Sequence, residues 1–377
     1  MRLNLNADES FFHETNAKFL AEFAPADTLR GLRDDPGGFT DEYWRRGADL
    51  GWTSLLVGEE DGGGSISGDR LLDLTLVAHE FGRQAAPGPL ADTNVVASAL
   101  TGWRRTHGEV LARLLSGASI ASWCYAEGPP NDRLGAVALE ARIDGDEVVV
   151  NGVKRPVESG ARAEHLLVTG RTGEGLTQVL VPGDAPGVSI SPMRTVDLTR
   201  RFSVVRFDGV RLPVDAVVGK VAEAADQVEH QLRLAIVVLN AESVGAMQAG
   251  FDMTVEWAFD RYSFGRPLAS YQALKHRFAD MKSWLEASHA ISDAAAAASS
   301  TGSAEAGELV SAAKAFIGDY GSELLQECVQ FHGGIGVTFE HDLHLFLRRH
   351  TLNRALYGTP AEHRQRLADI VEHKEAM

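Results

Sequence analysis

The order of its hydrophobic periods constrains this chain most. From about residue 8 to 118, apolar positions recur at three- and four-residue spacing, in Phe11 to Phe23, Tyr43 to Leu50 and Leu71 to Phe81. That spacing predicts amphipathic helices. From Ser119 to about Val221 the pattern becomes short and alternating, with predicted strands at Ile120 to Tyr125, Ala136 to Ile143, Glu147 to Val150, Leu166 to Thr169, Gln178 to Val181 and Ser203 to Val210. Turn signals separate them: Asp144 to Asp146, and Asn151-Gly152, which reads as a hairpin. From Asp226 the helical period returns, through Leu232 to Arg261, Tyr271 to Ala297, Ala304 to Cys328, His341 to Tyr357 and a last helix from Pro360. The expected class is therefore α+β, with helical segment 1–118, a β domain over 119–225 and a helical bundle over 226–377. Neither a βαβ repeat nor a run of hairpins produces this order.

Composition narrows the function. A formal charge of -16 argues against nucleic acid or an anionic membrane as main partner. The apolar runs read as shorter than the ~20 residues of a membrane span, and the N-terminus lacks a signal-peptide pattern, so a cytoplasmic location is expected. Cys124 and Cys328 give neither a metal spacing nor a disulfide framework. His332, His341, His344 and His350 bring no clustered acid beyond Glu340 and Asp342, so no metal is expected. Glu340, Arg348 and Arg349 read as helix salt bridges or subunit contacts.

Two late segments carry chemistry. Arg261 to Gln272 sets a guanidinium, the ring of Phe264, a Gly-Arg-Pro turn and the amide of Gln272 in close order. Gln330 to Glu340 contributes Gln330 with Gly333, Gly334 and Gly336. Arginine pairs bidentately with phosphate oxygens, an aromatic ring stacks on a base, and glycines admit backbone close to a ligand. Both are also ordinary turn and helix-end signals when taken alone.

Taken with Leu50 to Trp52 and Gly62 to Gly64, Trp123 to Glu127, Val150 to Lys154 and Phe207 to Pro213, these segments make the whole chain resemble the acyl-CoA dehydrogenase family. The resemblance implies an N-terminal helical domain, a β-barrel-like middle domain and a C-terminal four-helix bundle. It also implies FAD shared across a subunit interface. The middle domain would hold the flavin ring of its own subunit, while Arg261, Phe264, Gln272, Gln330, Gly333 and Gly334 would reach the ADP half of a neighbour's FAD. The family removes a proton α to a thioester carbonyl with a glutamate, as hydride leaves the β carbon for the flavin.

Around the ring this sequence departs from the family. A Trp-Ile-Thr run is replaced so that Pro156 stands for the tryptophan and Glu158 for the threonine. Upstream, Ala126 replaces a threonine, Glu127 is kept, and Asp132 answers the last Asp of the pattern if one residue is dropped. Tyr357 occupies the usual position of the base, and Ala235 the alternative one on the first bundle helix. Tyrosine, with an ordinary pKa of about 10, is a poor base at neutral pH. Glu242, two helical turns (about 10.5 Å) beyond Ala235, is the remaining candidate base. It would be suited to proton abstraction if unpaired, but a bundle arginine would neutralise it.

Two functions follow. In one, the chain is a companion subunit in an α2β2 acyl-CoA dehydrogenase, supplying the ADP-binding half of a homologous partner's FAD site. In the other, it is a complete homo-oligomeric enzyme with Glu242 as base. Either acts on an acyl-CoA, with bulky substrates such as steroid side chains implied by analogy, and passes electrons to an electron-transfer flavoprotein.

Overall fold

A computed structural model describes residues 5–128 and 134–375 of the 377. Asp132 lies outside them. Numbered in chain order, the first helices are α1 (Ala7–Phe23), α2 (Ala26–Gly31), α3 (Asp41–Asp49), α4 (Arg70–Gln84), α5 (Leu90–Leu100) and α6 (Arg104–Leu115). Their starts follow local chemistry. Asn6 and Glu9 form a capping box on α1, and the side chains of Thr40 and Asp69 cap α3 and α4.

The middle region holds β1 (Ala121–Cys124), β2 (Glu140–Asp144), β3 (Glu147–Glu158), β4 (His165–Thr172), β5 (Gly175–Pro182), β6 (Val188–Met193), β7 (Phe202–Pro213) and β8 (Val217–Val218). They form one sheet in the order β6-β7-β3-β2-β4-β5-β8, with β1 parallel to β4. β6 and β8 end the path without pairing to each other, so the expected barrel is not closed. The side chains alternate between two cores. Leu166, Val168, Val179 and Val181 join the sheet's own cluster, while Leu167 and Leu180 face the helices.

Two turn readings fared differently. Gly145 (φ 68) and Asp146 connect β2 to β3 as a tight hairpin, as expected. Asn151-Gly152 is no hairpin. It lies inside β3 at a register shift against β7, where Gly152 takes φ 142 and Asn151 Oδ1 accepts from Gly209 N at 2.7 Å. The dipeptide's tolerance of positive φ serves a bulge here.

The C-terminal region contains α7 (Ala225–Asp260), the small hairpin β9 (Tyr262–Ser263) and β10 (Arg266–Pro267), then α8 (Gln272–Ser300), α9 (Ala306–His332), α10 (Leu343–Ala355) and α11 (Pro360–Glu375). Among the described residues only α7 is long and apolar enough to cross a membrane, and it is buried within the fold. One core runs continuously from the N-terminal helices into this bundle. α4 and α7 cross backbone to backbone: a Cβ on Gly82 would fall 1.8 Å from Glu242 O, and one on Gly245 1.9 Å from His79 O. Only glycine permits that approach. The crossing fixes Glu242 beside the end of α4.

Candidate functional site

A cavity of about 710 Å³ opens where the middle region meets α10 and the start of α11. Ala126, Pro156, Glu158 and Tyr357, all positions that depart from the family pattern around the ring, line it together. Apolar walls come from Met193, Val196, Phe202, Leu352 and Leu356, and two further carboxylates from Glu127 and Glu362. Neither lysine nor arginine appears among the described lining residues.

Behind Glu158 lies a buried ionic network. The Glu158 carboxylate accepts two hydrogen bonds from Arg200, with Nε to Oε1 at 2.5 Å and Nη2 to Oε2. Arg200 Nη1 also donates to Asn353 Oδ1 at 2.8 Å and reaches Glu242 Oε2 at 3.4 Å. Arg349, with 0% of its surface exposed, binds Asp197 Oδ2 through Nε at 2.6 Å and Glu242 Oε1 through Nη1 at 2.5 Å. Its Nη2 donates to the carbonyls of Ala85 and Ala86 and to Thr199 Oγ1. Three carboxylates thus share two guanidiniums. Burial pushes the Glu158 carboxyl up to about 7 against the pull of Arg200, and the charges of Asp92 and Glu242 add to the rise. Arg349 is therefore the hub of a network joining four separate stretches of chain. It is neither a helix salt bridge nor exposed to a neighbouring subunit.

Tyr357 stands beside this network. Its hydroxyl donates to Asp92 Oδ1 at 2.6 Å, and its ring stacks on Trp123 at 5.4 Å between centroids. Burial, then the adjacent Asp92 charge, drives its pKa well above the ordinary value. Burial raises Asp92 to about 6, although the Tyr357 hydrogen bond works the other way. A phenol held in this way gives up its proton with difficulty. Glu242 is buried and occupied by Arg349, Arg200 and Asn353 Nδ2, which donates at 2.9 Å. Ala235 is buried on the same helix, and neither residue lines the cavity. Glu127 accepts from Ala138 N, Leu139 N and Lys154 Nζ, so it too is held.

The second candidate region lies at the end of the bundle. Trp257 gathers its parts: its Nε1 donates to Phe331 O at 3.2 Å, its ring stacks on His332, and Arg261 lies over it at 5.8 Å. Arg261 makes no ion pair among the described residues. Phe264 (φ 49) and Gly265 (φ 79) form the two-residue turn between β9 and β10, leaving the Phe264 ring 97% exposed. Two positive φ values are what a type I′ turn demands. Gln272 begins α8, Gln330 lies in the last turn of α9, and Gly333 and Gly334 follow it; all four are exposed. Nothing occupies the space where a Cβ would project from Gly333 or Gly334. None of these six residues lines the cavity.

A third polar cluster belongs to neither region. Glu80 Oε1 accepts from His13 Nε2 at 2.8 Å and from His79 Nδ1 at 3.1 Å, while Arg83 lies 3.9 Å from Oε2. Hydrogen bonds from the two rings hold the Glu80 carboxyl down near about 2, overcoming its burial.

The site's chemistry tests the cofactor that the fold family implies. An isoalloxazine ring needs an aromatic wall and donors at its edge, and Pro156 offers neither a π face nor an N–H. Glu158 adds a carboxylate already committed to Arg200. The lining keeps the rings of Tyr125, Phe202 and Tyr357, but Pro156 and Glu158 do not fit the ring contacts that the family pattern places at their positions. The bundle end does fit an ADP group, through an unpaired guanidinium, an unpacked ring and open glycines.

Residues 226–371 match the acyl-CoA dehydrogenase C-terminal domain. The chain is 29% identical over 365 residues, 96% of its length and 98% of the relative's, to the acyl-CoA dehydrogenase IpdE2 of Mycolicibacterium smegmatis. It is similar to a variant of the Tcur3481-Tcur3483 steroid ACAD, with 25% identity, TM-score 0.87, and 98% and 99% of the two chains covered. It also shares its fold with a chain of the ChsE4-ChsE5 complex of Mycobacterium tuberculosis, at 22% identity and TM-score 0.85, covering 99% of each. Residues 226–371 thus form an acyl-CoA dehydrogenase C-terminal domain, and the chain as a whole is similar to acyl-CoA dehydrogenases in sequence and in its helix, sheet and bundle order.

Proposed function

We propose that this chain is the companion subunit of a heteromeric acyl-CoA dehydrogenase, an oxidoreductase on CH–CH donors, assembled as α2β2 with a catalytically complete homologue. One observation carries the reading. The departures at Ala126, Pro156, Glu158 and Tyr357 converge on one cavity, whereas Arg261, Phe264, Gln272, Gln330, Gly333 and Gly334 stand exposed at the bundle end, with Gln272 bonded only to the exposed His276.

When bound in the partner, FAD would supply the acceptor for the hydride leaving the β carbon of the acyl thioester. This chain's residues bind and orient. The Arg261 guanidinium would pair with the pyrophosphate, Phe264 would lie against an aromatic ring, Gln272 and Gln330 would hydrogen-bond polar groups of the ADP half, and Gly333 and Gly334 would let backbone approach. The base belongs to the partner. The ion pairs on Glu242 and the Asp92 hydrogen bond on Tyr357 argue against either residue abstracting a proton here. The paired names of the steroid ACAD and of the ChsE4-ChsE5 complex support a two-chain assembly, and the former supports bulky acyl-CoA substrates such as steroid side chains. An electron-transfer flavoprotein is the expected acceptor.

The test is FAD stoichiometry by absorbance, for the chain alone and co-expressed with a complete homologue. The expected result is none alone and about one FAD per two chains in the complex. About one FAD per chain in the lone protein overturns the reading.

A further inference from the structure

We propose that the Glu158–Arg200 pair is the selectivity element that closes this chain's own cavity to a flavin ring. The inference rests on the companion reading and names its physical cause. Three observations support it.

The first is position. Glu158 ends β3 and lies on the cavity wall with Pro156, at the two places where the family's ring contacts stand. Through its two oxygens it is tied to Arg200, and Arg200 is only 4% exposed. The carboxylate cannot turn aside to admit a ligand unless that pair breaks.

The second is rigidity. Arg200 is held from behind by Asn353 and Glu242, and Arg349 locks Glu242 and Asp197 to each other. The anchors come from α7, α10 and the segment before β7. Arg200 therefore keeps its place through its far-side partners, and Glu158 is tied to that fixed guanidinium through both of its oxygens.

The third is charge. Glu158, Asp197 and Glu242 face Arg200 and Arg349, leaving one carboxylate in excess, and the wall adds Glu362, while Glu127 on the same wall is paired with Lys154. A reduced flavin carries negative charge on its ring. Like charges brought together in a poorly solvated cavity repel more strongly than in water.

The experiment equilibrates dithionite-reduced FAD with the lone purified chain across a dialysis membrane without oxygen and measures the bound flavin after reoxidation. Wild type should show no saturable binding at ~100 µM FAD, and E158Q, which keeps the shape but not the charge, should bind roughly tenfold tighter, equivalent to about 1.4 kcal/mol. The double substitution Glu158→Thr with Arg200→Met removes both partners, orphans neither charge, and should bind tighter still. Thermal melts check that each variant is folded. Wild-type-like weakness in folded E158Q and in the folded double variant overturns the inference while leaving the companion reading intact. An equal gain from P156W alone also overturns it, by moving the block to the proline. About one FAD per wild-type chain would instead sink the companion reading.

Discussion

The cavity and the bundle end are two halves of what the family uses as one kind of site, and they differ in how their polar groups are spent. The described acids of the cavity wall are committed, Glu158 to Arg200, Glu127 to Lys154 and two backbone amides, and Glu362 to Thr359, while Asp92 behind the wall holds Tyr357. At the bundle end Arg261 has only an aromatic face beneath it and Phe264 has solvent. Satisfied buried networks rigidify a fold, whereas exposed unspent groups await a ligand or a neighbour. One half is packed into the structure, and the other is the surface proposed to take a neighbour's ADP group.

Substitutions can break that contrast. Arg349→Met leaves Asp197 buried without its cation and Glu242 with only the longer contact to Arg200, and urea unfolding should show a loss of about 4 kcal/mol. A loss under about 1 kcal/mol would mean that the network is not structural.

The next effect is one of pH. Folded Glu158 keeps its proton up to about 7, while the unfolded residue releases it near ~4.3. Between those values the folded state binds more protons, so this group's contribution to stability falls as pH rises from 4 to 7. E158Q lacks that term. From pH 4 to 8 it should gain up to about 3 kcal/mol on wild type, and a flat difference would contradict the charge state assigned to the cavity. At the bundle end, His332 and His341 are lowered mainly by burial, so they favour the fold above ~6.5 and lose that contribution on acidification; their effect cancels in the comparison.

Gly82→Ala forces α4 and α7 apart beside Glu242 and should cost about 2 kcal/mol, read by the same unfolding assay. Arg261→Ala sits at the other extreme. Its stability should change by less than ~0.5 kcal/mol, while FAD in the assembled complex should weaken roughly tenfold, as measured by fluorescence titration. Unchanged FAD affinity would remove the bundle end from the binding site.

Much of this was legible in sequence because period and turn chemistry are local. The long helices, the Asp144 to Asp146 turn and the exposed Arg261 to Gln272 segment follow from residues close together in the chain. β6 escaped notice as a short strand at the sheet edge containing Pro192, where pairing rather than propensity decides. Asn151-Gly152 announced a positive φ but not whether the chain would turn. The ionic network was hidden because Glu242, Asp197 and Arg349 meet only in the fold. One signal was available: Arg349 falls three residues from both Phe346 and Leu352, on the buried stripe of α10, where an arginine requires a buried partner.

Arg349 also bears on how the chain reaches its native state. It joins Asp197, 152 residues earlier, and the carbonyl of Ala85, 264 residues earlier. Such distant pairings form late, since the closure entropy precedes the reward. On the ribosome, Glu242 and Asp197 are synthesised long before the guanidinium that neutralises them. Residues 1–348 would therefore hold two acids in a half-built interior, and the sheet and bundle lock together only after the last stretch of chain has emerged.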